Sequence, residues 1–423
     1  MMIAAIVIFI VGYLVIAFEH SLKLDKAAAA LITGVLCWTI YILGLSNKEI
    51  AIEQLYHHLS EIASILFFLM GAMTIVELID SHSGFTLITS KIKTRSKLKL
   101  LWIIAFVTFF VSALLDNLTT AIVMTSLLTR ILDEKEDRLW FAGVIIIAAN
   151  AGGAFSPLGD VTTTMLWIGG QITAQNIMLQ LFLPSIMVCL IPLLIVSPRF
   201  RNKKIGGKAE DELQVERKEA IIILVAGITL LLSVPIFKVL THLPPFMGML
   251  LALGILWIIV SLMHFSKPYS EKHNLTVTHA LEKIDSPSIL FFLGILLAVS
   301  ALQSFGLLKT LANNLDHALG NFYLVGTTLG LVSAVIDNVP VVAAAQGMYE
   351  LNTYPTDHHF WEFLALTAGT GGSAIVIGSA AGVAAMGIEK IEFMWYLKRI
   401  TWIALVGFFA GIATYIAQIN LFM

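Results

Sequence analysis

Cysteine is nearly absent from this 423-residue chain, and charge is scarce. Only Cys37 and Cys189 occur, each inside an apolar run, so neither a disulfide framework nor a thiolate metal centre is expected. Asp, Glu, Lys and Arg together make up 13% of the residues, against 58% hydrophobic ones. With a mean hydropathy of +0.89, that ratio excludes a soluble domain of this length. The formal net charge is -2 and there is no basic tract, so no nucleic-acid partner is expected. No low-complexity tail is present. What fills the chain instead is a series of apolar runs of membrane-spanning length.

The runs fall at 1–18, 26–45, 59–80, 98–132, 139–170 and 176–198, then at 219–242, 244–265, 287–305, 320–350, 360–388 and 393–420. The first has no basic lead and no small-residue cleavage site, and is expected to span rather than be removed. The organisation reads as a first repeat over 1–198, a cytoplasmic linker over 199–218 and a second repeat over 219–423. Phe67-Phe68-Leu69-Met70-Gly71 in the third run answers Phe291-Phe292-Leu293-Gly294 in the ninth.

Two further repeats are more informative. Ser112-Ala113-Leu114-Leu115-Asp116-Asn117 answers Ser333-Ala334-Val335-Ile336-Asp337-Asn338. Asn150-Ala151-Gly152-Gly153 with Gly159-Asp160 answers Gly369-Thr370-Gly371-Gly372 with Gly378-Ser379. Asp-Asn splits the fourth and tenth runs into halves of about 13 to 15 residues, too short to cross, since crossing takes roughly 20. Each is expected to be a re-entrant hairpin with Asp-Asn at its tip. The fifth and eleventh runs, broken by glycine, are expected to cross once as discontinuous helices. The expected fold is an all-α polytopic membrane protein: an inverted-topology repeat with about ten crossings, two re-entrant hairpins and two discontinuous helices.

Charge sets the orientation. With both termini outside, all but Lys48, Lys238 and Lys309 of the 26 Lys and Arg fall on the cytoplasmic side or at that end of a helix. The cytoplasmic set includes Lys91, Lys93, Arg95, Lys97, Lys99, the linker, Lys267, Lys272 and Lys283. Counting the hairpins as crossings would put Arg130, Lys135 and Arg138 on the opposite side and spoil this bias.

A charged Asp at the bilayer centre costs about 2.5–3.5 kcal/mol on insertion scales and marks ion or proton paths. Asp116, Asp160 and Asp337 are the candidates. Oxygen-bearing side chains surround them, as hard cations require. The expected cation and proton-coupling site comprises Asp116, Asn117, Thr119, Asn150, Ser156, Asp160 and Thr163, with sodium at Asp116, Asn117, Asn150 and Asp160. A second, pseudo-symmetric site would comprise Asp337, Asn338, Thr370, Ser373 and Ser379. The halves differ, because Asp160 aligns with Ser379 and Thr119 with Pro340. The second site could bind an ion, carry a proton or only hold its hairpin. A carboxylate in low dielectric holds a proton when its site is empty and yields it to a bound cation. No cofactor beyond the transported ions is expected.

Other charges have plainer readings. Glu77 is either a proton-path residue or an acid snorkelling to the interface. His57, His58, His358 and His359 are expected at the outer interface. Asp133, Glu134, Glu136 and Asp137 are expected to be solvated. Asp-Asn can be only a helix cap and Gly-Gly only close packing. Both motifs occur twice, in the same order, inside apolar runs, and that coincidence argues for function.

The stretches Ser112 to Thr120 and Asn150 to Thr164 resemble the signature segments of NhaD-type sodium/proton antiporters. That family lies in the ion transporter superfamily with arsenite permeases and sodium/dicarboxylate carriers. The resemblance covers essentially the whole chain. It implies a scaffold domain and a transport domain, each drawn from both repeats, elevator-type alternating access, and a homodimer in a bacterial inner membrane. It implies export of sodium or lithium against protons. In the dicarboxylate relatives the tips carry Ser-Asn-Thr; an acid in place of that serine suits a cation. A sodium-coupled dicarboxylate or oxyanion carrier is the alternative, although the deep segments hold no Lys or Arg. An intramembrane aspartyl protease fits less well, because Asp160 follows Pro157-Leu158-Gly159 and each Asp-Asn sits at a symmetric break.

Overall fold

Helices begin where short polar residues interrupt the apolar runs, because their side chains satisfy the first free backbone N–H groups. The computed structural model describes all residues except 18, 90–93, 206–215, 266–267, 269–272, 376–377 and 423. Asp25 caps α3 (Lys26–Gly44) by accepting from the Ala27 N–H at 2.7 Å. Asn47 caps α4 (Lys48–Ser81), and Asp285 caps α14 (Ser286–Ser304). The helix α4 starts well before the run at 59–80, because the polar stretch through His57 and His58 continues it.

The remaining principal helices are α1 (Met2–Ala17), α6 (Lys97–Ser112), α7 (Asn117–Ile131), α8 (Lys135–Ala154), α9 (Val161–Ile168) and α10 (Ala174–Val196). After the linker come α11 (Arg217–Thr241), α12 (Pro245–Met263), α15 (Leu307–Leu319), α16 (Phe322–Ser333), α17 (Asn338–Met348), α18 (His359–Gly371), α19 (Ala380–Glu389), α20 (Phe393–Arg399) and α21 (Thr401–Phe422). Short helices α2 (Glu19–Leu22), α5 (Gly84–Thr89) and α13 (Val277–Lys283) complete the order. The amphipathic α15 lies outside every apolar run, since Asn313, Asn314, Asp316 and His317 dilute it.

Among the described residues, seven helices are long and apolar enough to cross a membrane: α3, α4, α10, α11, α12, α14 and α21. With α1 and the two broken helices α8–α9 and α18–α19, this reaches the ten crossings that the runs imply. The hairpins are broken where expected. Helices α6 and α7 have 16 and 15 residues, and α16 and α17 have 12 and 11. Large apolar side chains such as Ile3, Val7, Ile32, Val239, Leu240, Ile258 and Leu262 point outward, as a bilayer solvent demands.

The helices pack in two groups. In one, α3 lies on α1 and α14, and α4 on α11, α12 and α14. Gly34 and Gly294 let α3 and α14 touch backbone to backbone: a Cβ on Gly34 would lie 2.5 Å from the Gly294 carbonyl oxygen. In the other group, each hairpin lies on the broken helix that follows it, α8 touches α18, and α10 packs along α21. The groups meet where α4 touches α9 and α14 touches α17.

The start of the linker folds back onto the first hairpin. The Lys97 N–H donates to the Lys203 carbonyl at 3.0 Å, and the Ile205 N–H to the Arg95 carbonyl at 2.8 Å. Asp137 is not the solvated charge expected from the sequence. It is 2% exposed, with its carboxylate 2.6 Å from Lys97 Nζ and 3.4 Å from Lys203 Nζ. Helix α8 starts at Lys135 and turns Asp137 inward against the base of α6, where the Lys97 ammonium neutralises it. Lys91, Lys93, Lys267, Lys272 and linker residues 206–215 lie outside the described residues.

Candidate cation site

Three of the four half-helices that meet at the breaks are capped by a carboxylate. Asp116 precedes α7 in a backbone conformation that L-residues rarely adopt, φ 149° and ψ 159°. Its Oδ1 accepts from the Thr119 N–H at 2.8 Å and its Oδ2 from the Thr119 hydroxyl at 2.9 Å. Asp160 caps α9 by accepting from the Thr162 N–H at 2.8 Å and hydroxyl at 2.7 Å. Asp337 caps α17 through the Val339 N–H at 3.3 Å, and Ser379 caps α19 through the Gly382 N–H at 3.2 Å. The positive ends of three of these half-helices thus face carboxylates.

Asp160 is the hub. Asn117 Nδ2 donates to its Oδ2 at 2.5 Å and to Asn150 Oδ1 at 3.1 Å. Asn338 Nδ2, from the other half of the chain, donates to both Asp160 oxygens at 3.2 and 3.3 Å. Asn150 Nδ2 donates to Ser373 Oγ and Ser379 Oγ, each at 2.9 Å. Asn150 is fully buried and Asp160 1% exposed. The two Asn of the Asp-Asn repeats therefore converge on one acid.

This grouping differs from the two pseudo-symmetric sites that the repeats suggest. Asn338, Ser373 and Ser379 join Asn117, Asn150 and Asp160 in one network, because α8 and α18 pack side by side and bring both breaks together. Asp337 instead faces a separate cavity. Three of the expected hydroxyls brace backbone. Thr163 donates to the Ser156 and Asp160 carbonyls, Thr370 donates to the Leu366 carbonyl, and Ser156 Oγ accepts from the Leu158 N–H. Glu77 is set apart, 3.5 Å from Lys283 Nζ.

Two cavities flank the network, and Ala380 lines both. The first, of 30 Å³, is touched by Asp116, Asn117 and Asp160 and closed by Phe68, Leu69 and Met73 of α4 and Phe292 of α14. It has room for about one water-sized particle. The second, of 130 Å³, is lined by Asp337, Ser379, Tyr13, Glu19, Lys26 and Phe291.

The other repeated residues hold this geometry. Ser112 Oγ donates to the Ala149 carbonyl at 2.6 Å and Ser333 Oγ to the Ala368 carbonyl at 2.9 Å, each sealing a hairpin to its broken helix. A Cβ on Gly152 would lie 2.0 Å from the Phe109 carbonyl oxygen, and one on Gly371 would lie 2.0 Å from that of Gly330.

A family model described as a citrate transporter matches residues 13–371. Sodium/proton antiporter 1 of Arabidopsis thaliana is 47% identical over 424 residues, covering 99% of this chain and 73% of that protein. Sodium/proton antiporter 2 of the same plant is 46% identical over 98% of this chain and 99% of its own length. The Na(+)/H(+) antiporter NhaD of Vibrio cholerae is 31% identical, over 98% of this chain and 91% of that protein. The chain belongs to the NhaD-type sodium/proton antiporter family. It is an integral membrane protein of a transporter family.

Several buried polar groups of this NhaD-type chain have no local sequence signal. His82 and His264 face each other with their Nε2 atoms 2.9 Å apart, while His82 Nδ1 lies 2.7 Å from the Leu78 carbonyl oxygen. Glu362, 1% exposed, accepts from the Tyr415 hydroxyl at 2.6 Å, lies 3.2 Å from His359 Nδ1 and accepts from the Asn176 amide. Lys238 Nζ donates to the Trp167 carbonyl at 2.9 Å, linking α11 to the end of α9. The His82–His264, Glu362–Tyr415, Glu362–Asn176 and Lys238–Trp167 pairings join residues far apart in sequence.

Proposed function

We propose that this protein exchanges sodium or lithium for protons across a membrane by alternating exposure of the network centred on Asp160. The observation that carries this reading is the 30 Å³ cavity touched by both Asp116 and Asp160. Two carboxylates beside room for about one small particle suit a dehydrated monovalent cation. When the cation leaves, a proton takes its place on the same oxygens, since an uncompensated charge in low dielectric is costly. Competition for one site and alternating exposure together produce exchange. Asp116, Asn117, Asn150 and Asp160 are the proposed cation ligands, and the names of the relatives support the choice of ions.

The two helix groups supply the moving parts in this reading. The group of α6–α10 and α16–α21 would be the transport domain, and the group holding α1, α3, α4, α11, α12 and α14 the scaffold. Movement of one along the other would expose the site to each side in turn. A homodimer, a plasma-membrane location and termini on the outer side belong to the same proposal. A citrate-like anion fits the site poorly. Three of the four half-helix N-termini already face an acid of the chain itself, so a carboxylate substrate would meet repulsion there.

The test uses purified protein in liposomes with an imposed pH gradient and a pH dye inside. Sodium, lithium and potassium are added to wild type, Asp116→Asn and Asp160→Asn. Collapse of the gradient by sodium or lithium in wild type only is the expected result. No response of wild type to any of the three cations would overturn the proposal and turn attention to sodium-dependent uptake of carboxylates.

A further inference from the structure

The Asp337 cavity shares Ala380 with the Asp116 cavity, but its chemistry is different. Both helix groups line it. Asp337, Ser379 and Ala380 come from the second hairpin and α19, whereas Tyr13, Lys26 and Phe291 come from α1, α3 and α14. Its 130 Å³ holds several water-sized particles, against about one at Asp116. A cation would therefore have room at Asp337. The cavity already contains one, carried by the chain itself. Lys26, half-buried at the first position of α3, projects into it with its ammonium 4.9 Å from the centroid of the Phe291 ring.

Lys26 faces the Asp337 carboxylate across the cavity they share, without a direct ion pair. Among the described residues, the remaining titratable groups lining the cavity are Tyr13 and Glu19. Asp160 lies in the network beyond Asn338, the residue that follows Asp337. Lys26 is thus the cationic side chain lining a cavity that Asp337 and Glu19 share. A buried acid needs a counter-charge, and a tethered ammonium is always at hand. Among the described residues, no such group lines the first cavity.

We propose that Lys26 is a tethered cation whose charge, in the cavity it shares with Asp337, excludes sodium from that carboxylate, so that only the Asp116–Asp160 cavity takes a transported ion. The inference rests on the exchange reading of the preceding section. It makes Lys26 a specificity-determining residue, contributed by one helix group to an acid on the other. It also assigns the asymmetry of the repeats a purpose. The first half leaves its acids for the ion, and the second half has its acid filled from within the chain.

The test is equilibrium binding of radioactive sodium to the purified full chain, per protomer. Wild type and Lys26→Arg, which keeps the charge, should bind about one sodium, and Lys26→Gln about two, since removal of the ammonium leaves an acid that a free cation can neutralise. Lys26→Gln combined with Asp337→Asn should return to the wild-type value. Lys26→Met serves the same purpose if the glutamine variant does not fold. Equal binding by wild type and the neutral variants would overturn the inference alone, as would an extra sodium that persists without Asp337. Absence of sodium binding in wild type would overturn the exchange reading, and this inference with it.

Discussion

Asp160 accepts hydrogen bonds from both halves of the chain, so single side chains carry much of the site. Asn338 is the most direct test. Its amide reaches both Asp160 oxygens across 178 positions of sequence. Asn338→Ala should lower cation-driven exchange by roughly tenfold or more, as loss of a ligand's supporting partner does at metal sites. Half-saturating sodium in the liposome assay should rise, with the melting temperature little changed. A different residue governs stability. Lys97 is buried on Asp137, and Lys97→Met leaves that carboxylate with only the more exposed Lys203 at 3.4 Å. Breaking such a pair from one side costs about 3–5 kcal/mol. Thermal unfolding in detergent should show a marked drop, and Asp137→Asn added to Lys97→Met should recover part of it.

In the proposed exchange, the half-helices and breaks are the working elements. The glycines at 152 and 371 sit where a hairpin's backbone crosses a broken helix. Alanine at either position drives a Cβ into a carbonyl oxygen, and backbone yields less easily than a side chain. Gly152→Ala and Gly371→Ala should each destabilise by about 1–3 kcal/mol or more. Each should also impair exchange, because the tip it displaces carries Asn117 or Asn338. Equal melting temperatures for wild type and both variants would show that the crossing is looser than described. The paired Ser112 and Ser333 have a similar role. Each donates to a carbonyl of the broken helix that follows its hairpin.

For the whole molecule, the question is whether the two helix groups move past each other. Phe68 on α4 and Trp167 on α9 meet edge to face across the boundary, with ring centroids 6.1 Å apart. Phe68→Cys with Trp167→Cys, in a chain whose buried Cys37 and Cys189 are replaced by alanine, should be joined by a bifunctional thiol-reactive cross-linker long enough to replace the two rings. Exchange should stop in the cross-linked double variant, and continue in each single-cysteine variant treated alike, if relative movement is needed. Full exchange with the link in place would mean that the site opens by a local change instead.

The sequence by itself determined the helical class, the breaks and the candidate acids. Apolar runs need internally satisfied backbone in a bilayer, and residues such as Asp116 and Asp160 interrupt them at a visible cost. Repetition made those interruptions stand out. Only the tertiary structure decided how the pieces combine. It merged Asn117, Asn150, Asp160, Asn338, Ser373 and Ser379 into one network and set Asp337 apart beside Lys26. It buried Asp137 on Lys97, 40 positions away, and joined His82 to His264, 182 positions away. Hydropathy is a property of each residue and its neighbours, whereas the pairing of polar groups depends on which helices touch. That choice is made by packing of the whole chain.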